Sequence, residues 1–128
     1  MADPSVAERN RASPEASAEA IARFCDASRE VRGCALIGPG GVLAASGSQA
    51  RWAEAGQALL GAADRAAGSR ATHAHVATEE GEAFAVRSGE LAMVAVTSRY
   101  TLASLVFADM RAALRHARSA AVAAAEAA

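Results

Sequence analysis

The chain has 128 residues, 13 basic and 14 acidic side chains and a formal net charge of −1, so it is one domain by length with no electrostatic pull toward nucleic acid or an anionic membrane. All 13 basic residues are Arg, so a Walker lysine, a Schiff base and a lysine general base are all excluded. A domain of this length buries roughly two-thirds of its unfolded surface and needs neither disulfide nor metal to hold a core.

Residues 1–12 are polar, Ala-rich and unpatterned, and read as a flexible tail. They contain no apolar stretch of the secretory kind. The apolar runs Leu91–Val96 and Leu102–Ala108 fall far short of the ~20 residues that span a bilayer. The expected setting is cytoplasmic, with no membrane insertion. Ser13-Pro14-Glu15 reads as a helix start, with Ser as N-cap, Pro at the first helical position and a carboxylate at the positive end of the dipole. Ile21, Phe24, Cys25, Ser28 and Val31 recur at helical spacing, opposite Glu15, Glu19, Arg23, Asp26 and Glu30. This amphipathic helix is expected to end near Glu30.

Cys34–Ile37 is a short apolar strand, Gly38-Pro39-Gly40-Gly41 a turn, and Val42–Ala45 the returning strand of a hairpin. A second helix is expected over Ala50–Ala67. Trp52, Ala55, Leu59, Ala63 and Ala66 make one stripe, while Arg51, Glu54, Ala58, Gly61 and Arg65 make a more polar side. The stripe is narrow and small, and with Gly56 it lets another backbone approach closely. Three strands follow in quick succession. In the first, Ala74 and Val76 share one face, while His73, His75 and Glu79 bring polarity to the other; that pattern suits a sheet edge. The second runs Glu82–Arg87. In the third, Leu91, Met93 and Ala95 face one way and Ala92, Val94 and Val96 the other. Both faces are apolar, which places this strand at the centre of a sheet covered on both sides.

The last helix is expected from about Thr101, burying Ala103, Val106, Phe107, Met110, Ala113, Leu114 and Ala117. Ser104, Ala108, Arg111, Arg115 and Arg118 fall on its other side. Residues 119–128, rich in Ala, either extend this helix or fray. Residues 13–118 form the domain. Leu36, Val94, Val96, Phe107 and Met110 are its expected fully buried residues.

Chemistry-bearing groups are sparse. Gly38–Gly41 lacks a Gly-Lys-Ser/Thr ending and joins two strands, so it is a turn and not a phosphate cradle. Cys25 and Cys34 read as two buried free thiols, with a disulfide the lesser alternative. Together with His73 and His75 they match no zinc spacing, so no metal and no cofactor are expected. Glu79, Glu80 and Glu82 flank a hairpin tip, where a solvated turn is the plainer reading than a catalytic pair. There is no Gly-x-Ser-x-Gly elbow. The Arg111, Arg115 and Arg118 stripe is a solvated helix face before it is a source of an activating arginine. Trp52 is a core or seam residue before it is a free partner anchor. No enzyme is expected.

The order helix, strand, strand, helix, strand, strand, strand, helix resembles the roadblock/dynein light-chain family. The resemblance rests on Val31–Ala44 with its glycine turn, on Glu79-Glu80-Gly81 followed by Leu91–Val96, and on Leu102–Leu114 as the closing helix. It covers roughly Ala16 to Arg118. It implies an α/β (α+β) fold of profilin-like order, α-β-β-α-β-β-β-α: a five-stranded antiparallel sheet with the first and last helices on one face and the middle helix on the other. It also implies a homodimer that pairs middle helices and third strands, and a non-enzymatic regulator or adaptor of a small Ras-like GTPase. Some members stimulate GTP hydrolysis, some support exchange and some only assemble complexes. The short link Gly68–Thr72 lacks the insertions of the commonest bacterial form. The small-residue stripe beside an edge strand points the same way. The expected seam is Trp52, Ala55, Gly56, Leu59, Ala63, His73, His75 and Ala77. The expected GTPase contacts are Arg51, Glu54 and Arg65 on the outer side of the middle helix. A structural scaffold with no effect on nucleotide turnover is the alternative. A small-molecule sensor is a third reading, which needs a shaped pocket.

Overall fold

The computed structural model describes the backbone of residues 14–46 and 49–127 and the side chains of residues 15–46 and 54–119. The expected tail, the N-cap Ser13, and the side chains of Arg51 and Trp52 lie outside the described residues. The elements are α1 (Pro14–Ala27), β1 (Val31–Gly38), β2 (Gly41–Ser46), α2 (Gln49–Ala67), β3 (His73–Ala77), β4 (Glu82–Ser88), β5 (Leu91–Thr97) and α3 (Ala103–Ala127). One antiparallel sheet runs in the order β2-β1-β5-β4-β3, so β5 is central and β3 is an edge, as alternation predicts.

Side-chain period divides the core in two. Leu91, Met93 and Ala95 of β5, with Cys34, Leu36, Phe84 and Val86, turn toward α1 and α3 and pack on Ile21, Phe24, Met110 and Leu114. Ala92 and Val94, with Ala35, Ile37 and Ala85, turn toward α2 and pack on Leu60. Leu36, Val94 and Met110 are buried as expected, but Val96 and Phe107 are only half-buried. Val96 is flanked by Gly33 and Ala83, which have little side chain to cover it. Phe107 lies over the edge strand, against the His73 and His75 rings, where the sheet ends.

Two helix boundaries move for local reasons. Helix α1 stops at Ala27 rather than near Glu30, and the buried Ser28 donates its hydroxyl to Asp109 Oδ2 across 3.0 Å. Helix α3 starts at Ala103 rather than Thr101, because Thr101 spends both its N–H and its hydroxyl on Glu82. At its far end α3 continues as helix to Ala127. Its 25 residues span about 37 Å at 1.5 Å per residue, longer than the strands beneath it.

Helix α2 meets the sheet through a phase that hydrophobicity does not mark. Among its described residues Gly56 and Leu60 are buried, whereas Leu59 and Ala63 are half-buried and Ala55 and Ala66 exposed. A Cβ built on Gly56 would lie 2.7 Å from Val94 Cβ. The glycine is therefore what lets α2 rest on β5. The sequence expectation that Gly56 belongs to a partner seam is corrected here: its missing side chain is used by the protein's own sheet.

Candidate functional site: the open edge of the sheet and the outer helix

The sheet ends in β2 on one side and β3 on the other, and the hydrogen bonding of β3 shows which of its residues are open. Arg87 N–H donates to Thr72 O across 2.8 Å, and Thr78 N–H donates to Gly81 O across 2.8 Å. In an antiparallel ladder these groups alternate. Thr72, Ala74, Val76 and Thr78 therefore direct their backbone groups to β4, while His73, His75 and Ala77 turn theirs outward. The last three are the edge residues assigned to the seam from the sequence. Gly81 makes the tight return into β4: its φ is 154°, and a Cβ there would collide with Thr97 O.

The α1/α3 side of this edge is a fixed aromatic cluster. The His75 ring stacks on Phe84 at 4.3 Å, and Phe107 meets Phe84 edge-on at 5.2 Å and His73 at 5.3 Å. The Arg111 guanidinium sits 5.5 Å from the Phe107 ring centre. Beneath it, Glu82 is buried. Its Oε1 lies 2.8 Å from His75 Nε2, and its Oε2 accepts from Thr101 N and Oγ1 at 2.8 and 2.6 Å. The Thr101 hydroxyl and N–H, outweighing burial, hold the Glu82 carboxyl below the ordinary range. The expectation of a solvated turn is corrected for Glu82. The signal was present: Glu82, Phe84 and Val86 alternate, so Glu82 shares the core-facing side of β4.

The α2 side of the edge is less filled. Val76 is 43% exposed there. Asp64 of α2 reaches across to Arg87 of β4 in a two-pronged pair, with Arg87 Nη1–Oδ1 at 2.7 Å and Nη2–Oδ2 at 3.0 Å. Asp64 Oδ1 also accepts from Ala71 N at 2.7 Å, and Arg87 Nη1 donates to Ala71 O at 2.9 Å. The Arg87 hydrogen bonds and the Ala71 N–H lower the Asp64 carboxyl to about 2. This network fastens the link between α2 and β3. It also identifies the flank of α2 that faces β4 and β3. At 100° per residue, Gln57, Gly61 and Asp64 share that flank. Ala55, Leu59 and Ala66 lie on the opposite one, turned away from β3. The structure therefore brings His73, His75 and Ala77 together but does not unite them with Ala55 and Leu59.

Glu54 and Arg65 are exposed on the outward side of α2, as expected, with the Arg65 side chain lying against Gly61. On α3, Arg111 and Arg115 are exposed, but Arg118 is held, donating to Ser88 Oγ at 2.7 Å and covering Gly89. Sequence reasoning missed an exposed apolar group before and at the start of α3: Tyr100, Leu102 and Leu105. Tyr100 carries a φ of 63°, rare for a residue with a side chain. Among the described residues no group of three His, Cys, Asp or Glu is placed to hold a metal ion, and no helix is long and apolar enough to cross a membrane.

Comparison with known proteins places the fold. The chain has the architecture of roadblock/LC7 domains. It superposes on the Roadblock/LC7 domain from Streptomyces avermitilis with a TM-score of 0.69 at 12% identity, covering 80% of this chain and 94% of that one. The gliding protein MglB from Thermus thermophilus gives a TM-score of 0.61 at 19% identity, covering 92% of this chain and 95% of that one. An MglB with tetrameric arrangement gives 0.61 at 17% identity, covering 86% and 94%. No family model and no curated protein matches the chain.

Proposed function

We propose that the protein is a homodimeric regulator of a small Ras-like GTPase that acts by binding and supplies no catalytic residue. The observation that carries the dimer is the β3 edge, where His73, His75 and Ala77 turn backbone donors and acceptors outward beside the exposed Val76. Pairing β3 with its copy extends the sheet and covers Val76. The α2 flank bearing Gln57 and Gly61 closes the seam, because it is the flank that faces β3. Two supports favour a GTPase partner: the fold shared with MglB, and the function that the roadblock resemblance implies. The tetrameric arrangement of an MglB neighbour accords with self-association.

In the dimer the outward sides of two α2 helices form one surface, presenting Glu54 and Arg65, with Arg51 assigned to the same surface from the sequence. A module of this kind holds the switch segments of its partner in one state, and its effect is limited by its preference between states. A tenfold preference shifts that equilibrium by about 1.4 kcal/mol. The test is titration of a Ras-like GTPase from the same genome, loaded with GDP or a GTP analogue, against wild type and two charge-reversed sets. Reversing Arg51, Glu54 and Arg65 is expected to weaken binding with fold and dimer intact. Loss only on reversing Arg111, Arg115 and Arg118 would move the contact to α3. If neither nucleotide form binds wild type, the scaffold reading replaces this one.

A further inference from the structure

Cys25 on α1 and Cys34 on β1 point at one another across the layer between helix and sheet, with their sulfurs 3.6 Å apart. Both are free thiols. That separation is a van der Waals contact, so a bond between them needs only small side-chain rotations. The two are not equivalent. Cys34 is fully buried, whereas Cys25 is half-buried and lines an open groove of about 620 Å³ between α1 and β2, together with Ile21, Ala22, Leu43 and Ser46. Ser46 Oγ lies 3.4 Å from Cys34 Sγ and 3.7 Å from Cys25 Sγ, close enough to donate to either sulfur. Two thiols in contact, one reachable from solvent and one not, is the arrangement of an attacking and a resolving cysteine.

We propose that Cys25 and Cys34 form an oxidation site for hydroperoxides, which closes to an intramolecular disulfide pinning α1 to β1. In the first step the Cys25 thiolate attacks the peroxide. An S–O bond forms, the O–O bond breaks, and the alcohol or water leaves with the proton the thiol gave up. In the second step Cys34 sulfur attacks Cys25 sulfur. The S–S bond forms, the S–O bond breaks, and hydroxide leaves as water with the Cys34 proton. Two thiols lose two electrons and two protons, and one hydroperoxide is reduced to an alcohol and water. The division of labour follows from burial, which pushes the Cys34 thiol up to about 12 despite the opposing Ser46 contact. Cys34 is therefore a poor first nucleophile, since the thiolate is the reactive form. The site lies away from β3 and from the outward side of α2, so it is independent of the proposed dimer and partner surfaces.

The experiment exposes the full chain to hydrogen peroxide, quenches with an alkylating reagent under denaturing conditions, and maps the peptides. Wild type is expected to lose both free thiols together, with a mass loss of two hydrogen atoms and a Cys25–Cys34 cross-linked peptide that reductant reverses. Its thermal midpoint should rise by roughly 5–10 °C on oxidation. In Cys34→Ala the sulfenic acid should persist on Cys25 and be trapped by a dimedone reagent. In Cys25→Ser, where the mutated residue is only half-buried, Cys34 should stay unmodified under the same exposure. The proposal is overturned by sulfinic acid accumulating on Cys25 while Cys34 stays free. It is equally overturned by cross-links only between chains, by Cys34 reacting in Cys25→Ser, or by thiols that survive peroxide sufficient to oxidise free cysteine.

Discussion

The two faces of the sheet solve the same problem with different residues. The face toward α1 and α3 is filled by volume: Phe24, Leu36, Phe84, Met93, Met110 and Leu114 are all buried there. The face toward α2 is filled by proximity: Ala35, Ala85, Ala92 and Val94 are short, and α2 descends onto them through Gly56. Dispersion and area burial favour the first face as the source of stability. The second face holds a helix at close range and leaves the sheet beyond it thinly covered, as Val76 shows. One face builds the domain and the other presents a surface.

That contrast is broken most sharply by truncation on the filled face. Phe84→Ala should cost about 3–5 kcal/mol in urea unfolding, since the ring is fully buried between His75 and Phe107. Phe107→Ala should cost about half as much, roughly 1.5–2.5 kcal/mol, because Phe107 is only half-buried. Equal losses for the two would show that pairing at the β3 edge covers Phe107 as fully as the single chain covers Phe84.

On the thin face the informative change is an addition. Gly56→Ala would normally stabilise a helix by up to ~1 kcal/mol. Here the new methyl meets Val94 at 2.7 Å, and overpacking of that kind costs roughly 1–3 kcal/mol. A net loss of stability is expected, relieved when Val94→Ala is added. A simple gain from Gly56→Ala would mean that α2 does not sit against β5 as described.

How much of this the sequence made legible depended on which signal marked the position. The central place of β5 was readable because both of its faces are apolar over Leu91–Val96. The open edge was readable because His73 and His75 interrupt that pattern. The phase of α2 was not, because a helix of Ala and Gly carries little hydrophobic contrast: Leu59 and Leu60 are adjacent and both pack on the same side of the sheet, and only the folded helix buries Leu60 fully and Leu59 in part. Glu82 was readable from its alternation with Phe84, although its place beside a turn hid this. The Asp64–Arg87 pair was not, since its partners are separated by a helix end and an entire strand and no local spacing links them. The Cys25–Cys34 contact likewise depends on how α1 lies on β1.

A smaller effect tests the network that orients α2 toward the edge. Asp64 has its folded-state pKa depressed from 3.8 to about 2. The unfolded chain therefore binds more protons in that interval, and stability falls as pH falls through it. The stabilisation is fully present above the ordinary carboxylate value and lost as pH falls to about 2. Asp64→Asn should be less stable than wild type at neutral pH, with the gap closing between about pH 4 and 2. A gap independent of pH across that window would remove the ion pair as its cause.

The central claim is that the outward-facing backbone of β3 joins two copies of this chain. Its most direct measurement is sedimentation equilibrium at tens of micromolar on wild type and Ala77→Pro. Proline there deletes an outward N–H without touching the residues bonded to β4. Wild type should sediment at twice the 12.9 kDa chain mass. Ala77→Pro, with an unchanged far-UV spectrum, should sediment at the chain mass. A monomeric wild type, or a folded Ala77→Pro that remains a dimer of the same affinity, would contradict the account.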